Sequence, residues 1–243
     1  MSHYIYLAPH LDDVSLSCGG LTWEQVRRGD RVEVWTICAG IPDEARLPQF
    51  ARQLHRRWET AEATVVMRRA EDRAACYRLG VRQRHFDWYD CIYRYRPDGT
   101  PFIQLNGELF RVQPEPEVVA EVTAMLLKET PSGATLVSPL TIGNHVDHIL
   151  VRTAAERSGL PILYYADYPY LLDSQEFLAK VEAGELLRQP APISAEAVTA
   201  WHEAVWMYPS QVSTFWRGRP AVTLAYRNYW AGGGGRLWSL AHS

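Results

Sequence analysis

Six residues in two short segments carry the chemistry open to this chain. The first segment is His10, Asp12 and Asp13, behind the apolar run Tyr4-Ile5-Tyr6-Leu7-Ala8-Pro9. The second is His145, Asp147 and His148, behind the apolar run Ala134 to Leu140. Imidazole and carboxylate are ordinary ligands for zinc, and a catalytic zinc site takes three protein ligands and keeps one position open. His10 and Asp13, three positions apart in a turn, can face one point, and His148 can add the third ligand from the other segment. Asp12 then stands beside the metal without binding it, placed to take a proton from the attacking water. On the far side, His145 as an imidazolium could stabilise a tetrahedral oxyanion and protonate a leaving amine. Asp147 is suited to lie behind a histidine, fixing its tautomer and raising its basicity. Together these parts specify metal-assisted hydrolysis of an amide, with Zn2+ expected, although such donors also suit Fe2+, cobalt or manganese.

The same residues have plainer uses. Asp12 and Asp13 at a helix start would complement the helix dipole as caps. Asn144 with Asp147 is spaced like a capping box. What favours a metal site is the joint occurrence of two such segments, each behind a predicted strand.

The elements that must position them read as alternating strands and helices. Tyr4 to Leu7 is a buried strand that ends at Pro9. Leu16, Gly19, Gly20, Trp23 and Val26 share one face of a following helix. The glycine pair costs that helix roughly 1 kcal/mol each relative to alanine, which points to a close neighbour or to backbone needed near a ligand. Arg31 to Ala39 is a second strand, so the opening is a parallel unit with a right-handed crossover. Gly40 to Trp58 reads as a loop with partial helix, Glu59 to Leu79 as a helix, and Val81 to Trp88 as a strand. Asp90 to Pro116 is irregular and long enough to be functional. Glu117 to Glu129 and His145 to Ser158 are helices around the strand Ala134 to Leu140, and Pro161 to Tyr168 is a further strand. Beyond it the pattern predicts helices near 174–187 and 195–206, a strand at Ala221 to Tyr229, and a flexible break at Gly232 to Gly235. In open α/β sheets ligands bind past the carboxyl ends of the strands, where both segments lie. No internal repeat or boundary divides the chain, so residues 1–243 are expected to form a single α/β domain.

Composition narrows the partners. A net charge of −3 over 243 residues gives no reason to expect nucleic acid. No apolar run approaches the ~20 residues needed to span a bilayer. The N-terminus lacks a basic region ahead of its apolar run, and Cys18, Cys38, Cys76 and Cys91 are scattered without a C-x-x-C pair. A reduced, cytoplasmic protein is expected, and a homo-oligomer is compatible with the sequence. The first strand–helix turn lacks G-x-G-x-x-G, which sets aside a dinucleotide-dependent oxidoreductase.

Ala8-Pro9-His10-Leu11-Asp12-Asp13, Gly19-Gly20 and His145-Val146-Asp147-His148 resemble the signature of the PIG-L/LmbE-like de-N-acetylase family. Arg68-x-x-Glu71, Leu79-Gly80-Val81, Asp90 and Tyr208-Pro209-Ser210-Gln211 extend the likeness. The resemblance implies a Rossmann-like three-layer sandwich with a mostly parallel sheet. It also implies zinc-dependent removal of an acetyl or other acyl group from an N-acetylglucosamine-containing small molecule or glycoconjugate. It gives His10, Asp13 and His148 as metal ligands, Asp12 as general base, His145 as oxyanion-stabilising acid and Asp147 as orienting carboxylate. Arg68 and Asp90 fall at substrate-contacting positions. Two departures stand out: Leu11 replaces the usual proline, and Val14 replaces an acidic residue. The same chemistry on a non-sugar amide such as a thiol conjugate, or a metal-stabilised binding protein without turnover, are the alternatives. The aromatic stretch Trp88, Tyr89, Tyr93, Tyr95 and Phe102 is a candidate wall for a sugar ring.

Overall fold

A computed structural model describes residues 1–60, 63–190, 192–231 and 234–241. Its centre is a seven-stranded sheet built from β1 (His3–Ala8), β2 (Arg31–Thr36), β3 (Arg82–His85), β4 (Ala134–Pro139), β5 (Ile162–Tyr165), β6 (Leu186–Arg188) and β7 (Leu237–Leu240), in the order β3-β2-β1-β4-β5-β7-β6. β1 pairs in parallel with β2 and β4, β2 with β3, and β4 with β5, while β7 runs antiparallel to both β5 and β6. The helices are α1 (Asp13–Arg27), α2 (Gln49–Arg57), α3 (Thr64–Leu79), α4 (Pro116–Glu129), α5 (Val146–Arg157), α6 (Gln175–Glu182), α7 (Ala195–Val205), α8 (Pro209–Phe215) and α9 (Arg219–Ala231).

Because successive strand side chains point to opposite faces, β1 serves two cores. Tyr6 and Ala8 pack with Val14, Leu21, Ala75 and Leu79 of α1 and α3. Ile5 and Leu7 pack with Val122, Leu126, Leu150 and Val151 of α4 and α5. The result is three layers, helix–sheet–helix. The chain moves outward from β1 through β2 to β3, then returns to place β4 on the other side of β1. That reversal is the topological switch point, and it opens a crevice beyond the carboxyl ends of β1 and β4.

The expected elements through Tyr165 are present, with α3 starting at Thr64 rather than Glu59 and the loop 40–58 carrying α2. Beyond that point the structure differs. Residues Ala221 to Tyr229, expected as a strand, lie in α9. Val222, Tyr226 and Tyr229 recur at helical spacing and are buried, so burial of that stripe overrides the β propensity of its residues. The expected helix 174–187 stops at Glu182, and Leu186–Arg188 is a strand. Of the expected break, Gly232 and Gly233 lie outside the described residues, and it leads into β7.

The Gly19-Gly20 pair is explained by a neighbour. A Cβ on Gly19 or Gly20 would lie 2.7 or 2.8 Å from the indole of Trp201 in α7. Helix α1 is also interrupted at Cys18, whose φ is −151°. The carbonyls freed around the break are taken up by side chains: Trp201 Nε1 donates to Ser15 O at 2.7 Å, Tyr226 Oη to Leu16 O at 3.0 Å and Tyr229 Oη to Ser17 O at 3.0 Å. The C-terminal helices thereby fix the first turn of α1.

Candidate active site

β1 delivers His10, Asp12 and Asp13 to the switch point, and β4 delivers His145, Asp147 and His148. Asp13 Oδ2 lies 3.3 Å from His10 Nδ1 and 3.5 Å from His148 Nε2. Ligands at the corners of a tetrahedron with ~2.0–2.1 Å bonds are separated by about 3.4 Å. The two separations from Asp13 match that spacing, and His10, His145 and His148 also offer nitrogens within 4.8 Å of one another.

Both histidines are oriented from behind. Asp147 Oδ2 lies 3.0 Å from His10 Nε2 and accepts the Cys91 backbone N–H at 2.9 Å. Its Oδ1 is paired with the guanidinium of Arg94. Burial opposes charge on Asp147, but Arg94 and His10 outweigh it and hold the carboxyl well below the usual carboxylate range. Behind His148, Asp167 Oδ1 lies 2.6 Å from Nδ1. Carboxylates face those ring nitrogens, and the opposite nitrogens point toward Asp13, where a bound cation would take their lone pairs.

The capping reading does not hold for Asp12, while Asp13 does lie in the first turn of α1. Asp12 is the N-cap residue of α1 but makes no side-chain capping bond, and its backbone sits at φ 138°. That is a strained conformation for any residue with a Cβ. It directs the carboxylate at the cavity, with Oδ2 3.5 Å from Arg68 Nη2. Burial raises the Asp12 carboxyl to about 7, with Arg68 opposing and Asp13 adding to the rise. The N-cap of α5 is His145, not Asn144: its Nδ1 accepts the Asp147 backbone N–H at 3.2 Å. Asn144 instead adopts a left-handed φ of 61° that turns the chain into the helix.

Burial, reinforced by His10 and His148, pushes the His145 pKa well below the ordinary value, which disfavours the expected imidazolium. With Nδ1 engaged as an acceptor, the proton resides on Nε2, and the ring acts as a hydrogen-bond donor.

His10, Asp12, Asp13, His145 and His148 line a cavity of about 200 Å³. Arg68 and Asp90 both face it. Arg68 Nη2 donates to Leu11 O at 3.0 Å, while Asp90 Oδ1 accepts from Ile92 N at 3.1 Å and leaves Oδ2 3.7 Å from His10 Nε2. Gln211 lines it too, hydrogen-bonded to Ser210, whose hydroxyl reaches Glu71 at 2.6 Å. The candidate aromatic wall does not face this cavity. Tyr93 is buried on His55, Phe102 lies under Arg94 and Arg96, and Trp88 donates to Glu121. The rings at the cavity are Trp58, Phe110, Tyr168 and Tyr170.

Sequence reasoning missed Asp167, Arg94, Phe110 and Tyr170. Asp167 had a signal: it follows the apolar strand Ile162–Tyr165 as Asp12 follows β1. The other three sit on irregular segments with no periodicity to place them.

A doubly wound sheet with imidazoles and carboxylates gathered at its switch point defines a hydrolytic α/β enzyme. The chain belongs to the PIG-L family, described as GlcNAc-PI de-N-acetylase, whose pattern matches residues 5–158. It is 29% identical to the 2'-N-acetylparomamine deacetylase of Niallia circulans over 194 residues, which are 72% of this chain and 70% of that protein. It is 32% identical to the 2'-N-acetylparomamine deacetylase of Streptomyces fradiae over 178 residues, covering 68% of this chain but 57% of that protein. The zinc-inhibited form of teicoplanin deacetylase Orf2 superposes with a TM-score of 0.79 at 25% identity, covering 98% of this chain and 97% of the other. These similarities identify the chain as a deacetylase with a Rossmann-like fold.

Proposed function

We propose that this deacetylase removes the acetyl group from an N-acetylated amino sugar within a small sugar-containing molecule, using zinc held by His10, Asp13 and His148. The observation that carries the reading is Asp13 standing 3.3 Å from His10 of its own segment and 3.5 Å from His148 of the distant one, with Asp12 beside them. The names of the relatives, acetylparomamine and teicoplanin deacetylases, support the substrate class.

A divalent cation held by His10, Asp13 and His148 would supply Lewis acidity there. Asp12 takes the proton of the attacking water and returns it to the amide nitrogen as the C–N bond breaks, so the proton count closes on one carboxylate. His145, as a neutral Nε2–H donor, hydrogen-bonds the developing oxyanion. Asp147 and Asp167 hold His10 and His148 in their tautomers. Arg68 keeps Asp12 aimed at the cavity and, with Asp90, offers hydrogen bonds to sugar hydroxyls. A single domain spanning 1–243 and cytoplasmic residence belong to the same reading. They are supported by a sheet that draws strands from His3 to Leu240 and by four buried, unpaired cysteines. Among the described residues no helix is long and apolar enough to cross a membrane.

The test is elemental analysis of the purified protein combined with fluorescamine detection of amine released from N-acetylated glucosamine derivatives and from non-sugar amides. Zinc near one equivalent and chelator-sensitive amine release from the sugars are expected. Release only from non-sugar amides overturns the substrate class.

A further inference from the structure

We infer that Phe110 and Tyr170 form the acyl-binding wall of this site and set its preference for acetyl over longer acyl groups. The inference rests on the amino-sugar deacetylase reading above and assigns one arm of its substrate.

The cavity lining divides by chemistry. Its polar groups gather on Asp12 and His10, with Arg68 3.5 Å from Asp12 and Asp90 3.7 Å from His10. Of its four rings, Trp58 lies under Arg68 and Tyr168 packs on Tyr226 and Tyr229, while Phe110 and Tyr170 lie against the other two imidazoles. The ring of Phe110 meets His145 edge-on, with centroids 5.7 Å apart, and the ring of Tyr170 meets His148 at 6.0 Å. The two rings also pack against each other at 5.9 Å, in a T-shaped contact that joins two otherwise separate loops across the site. Tyr170 is seated on backbone: a Cβ at Gly143 would lie 2.7 Å from its ring, so the residue two before His145 is kept bare for it.

An N-acyl amino sugar has two unlike arms at its carbonyl. The amine arm continues into a hydroxyl-bearing ring, which needs hydrogen-bond partners once desolvated. The acyl arm is hydrocarbon and is bonded directly to the reacting carbon, so it meets whatever surface touches the groups that act on the carbonyl. That surface is Phe110 and Tyr170. Because the rings touch each other, an acyl chain longer than acetyl must displace one of them, and the packed Gly143–Tyr170 contact leaves Phe110 as the ring to move. A methylene more or less in an apolar pocket is worth about 10- to 200-fold in specificity.

The experiment measures kcat/KM for N-acetyl-, N-butanoyl- and N-hexanoylglucosamine with the zinc-loaded wild type, Phe110→Ala and Phe110→Leu, checking zinc content and thermal melting of each. The wild type is expected to lose at least about tenfold from acetyl to hexanoyl. Phe110→Ala is expected to reduce that ratio by about tenfold or invert it, with Phe110→Leu between the two. An equal rise in KM for all three acyl groups places the sugar, not the acyl arm, on Phe110 and overturns the inference. So does an unchanged ratio in an active, folded variant. A wild type inert on all three compounds overturns the amino-sugar reading, and the acyl wall with it.

Discussion

Asp167, at the end of β5, lies 2.6 Å behind His148, its Oδ1 facing the ring nitrogen turned away from Asp13. With Asp147 of α5 3.0 Å behind His10, each proposed histidine ligand is backed by a buried carboxylate. Three neighbouring strands of the sheet, β1, β4 and β5, thus contribute to one site.

Removing one of these backing groups is expected to loosen the metal without changing the ligands. Asp167→Asn should weaken zinc binding about 10- to 100-fold, read by competition with a chromogenic chelator. At saturating zinc the turnover should recover. Unaltered affinity would assign Asp167 to packing alone.

Asp12 and His148 are expected to fail in different ways. Asp12→Ala should retain zinc and lose about 10²- to 10⁴-fold in kcat. His148→Ala should lose the metal itself. Elemental analysis beside a single-substrate rate separates the two, and near-normal turnover by Asp12→Ala would refute proton transfer at that residue.

The metal-free protein carries a pH signature of Asp12. Its carboxyl is raised to about 7 by burial, against about 3.9 in an unfolded chain. The unfolded state therefore ionises first. The stability lent by the protonated form is whole below about 4 and declines as pH rises toward 7. Asp12→Asn cannot ionise, so its stability advantage over wild type should grow across that interval and level off above it. Urea melts of both chelator-treated proteins between pH 4 and 8 check the sign. An advantage that shrinks with pH contradicts it.

The interrupted first turn of α1 gives a stability prediction. Trp201→Phe keeps most of the ring in the Gly19-Gly20 groove but removes the donor to Ser15 O. Leaving that buried acceptor unpaired costs about 1–3 kcal/mol. Gly19→Ala is expected to cost about the same by overpacking against Trp201. Denaturant melts measure both.

Much of this site was legible before any coordinates. His10, Asp12, Asp13, His145, Asp147 and His148 announce themselves by type, by spacing and by following apolar runs, because strand ends are where a parallel sheet presents side chains. The glycine pair announced a close neighbour but not Trp201, since a contact across most of the chain leaves no local period. Tyr226 and Tyr229 read as strand residues because their β propensity is local, whereas the stripe they bury belongs to the tertiary fold. The downward push on the His145 pKa was not legible for a related reason: burial among other imidazoles depends on the whole assembly.

The backbone at Asp12 has one more consequence. Glycine is the residue that would adopt φ 138° with least strain, yet glycine cannot accept a proton. With Asp12 as the proposed base, Asp12→Gly is therefore the substitution expected to relax the turn and silence the site together. Any search for sturdier versions of this enzyme by melting temperature alone would be drawn toward inert proteins, and a screen for improved variants has to score turnover at the same time.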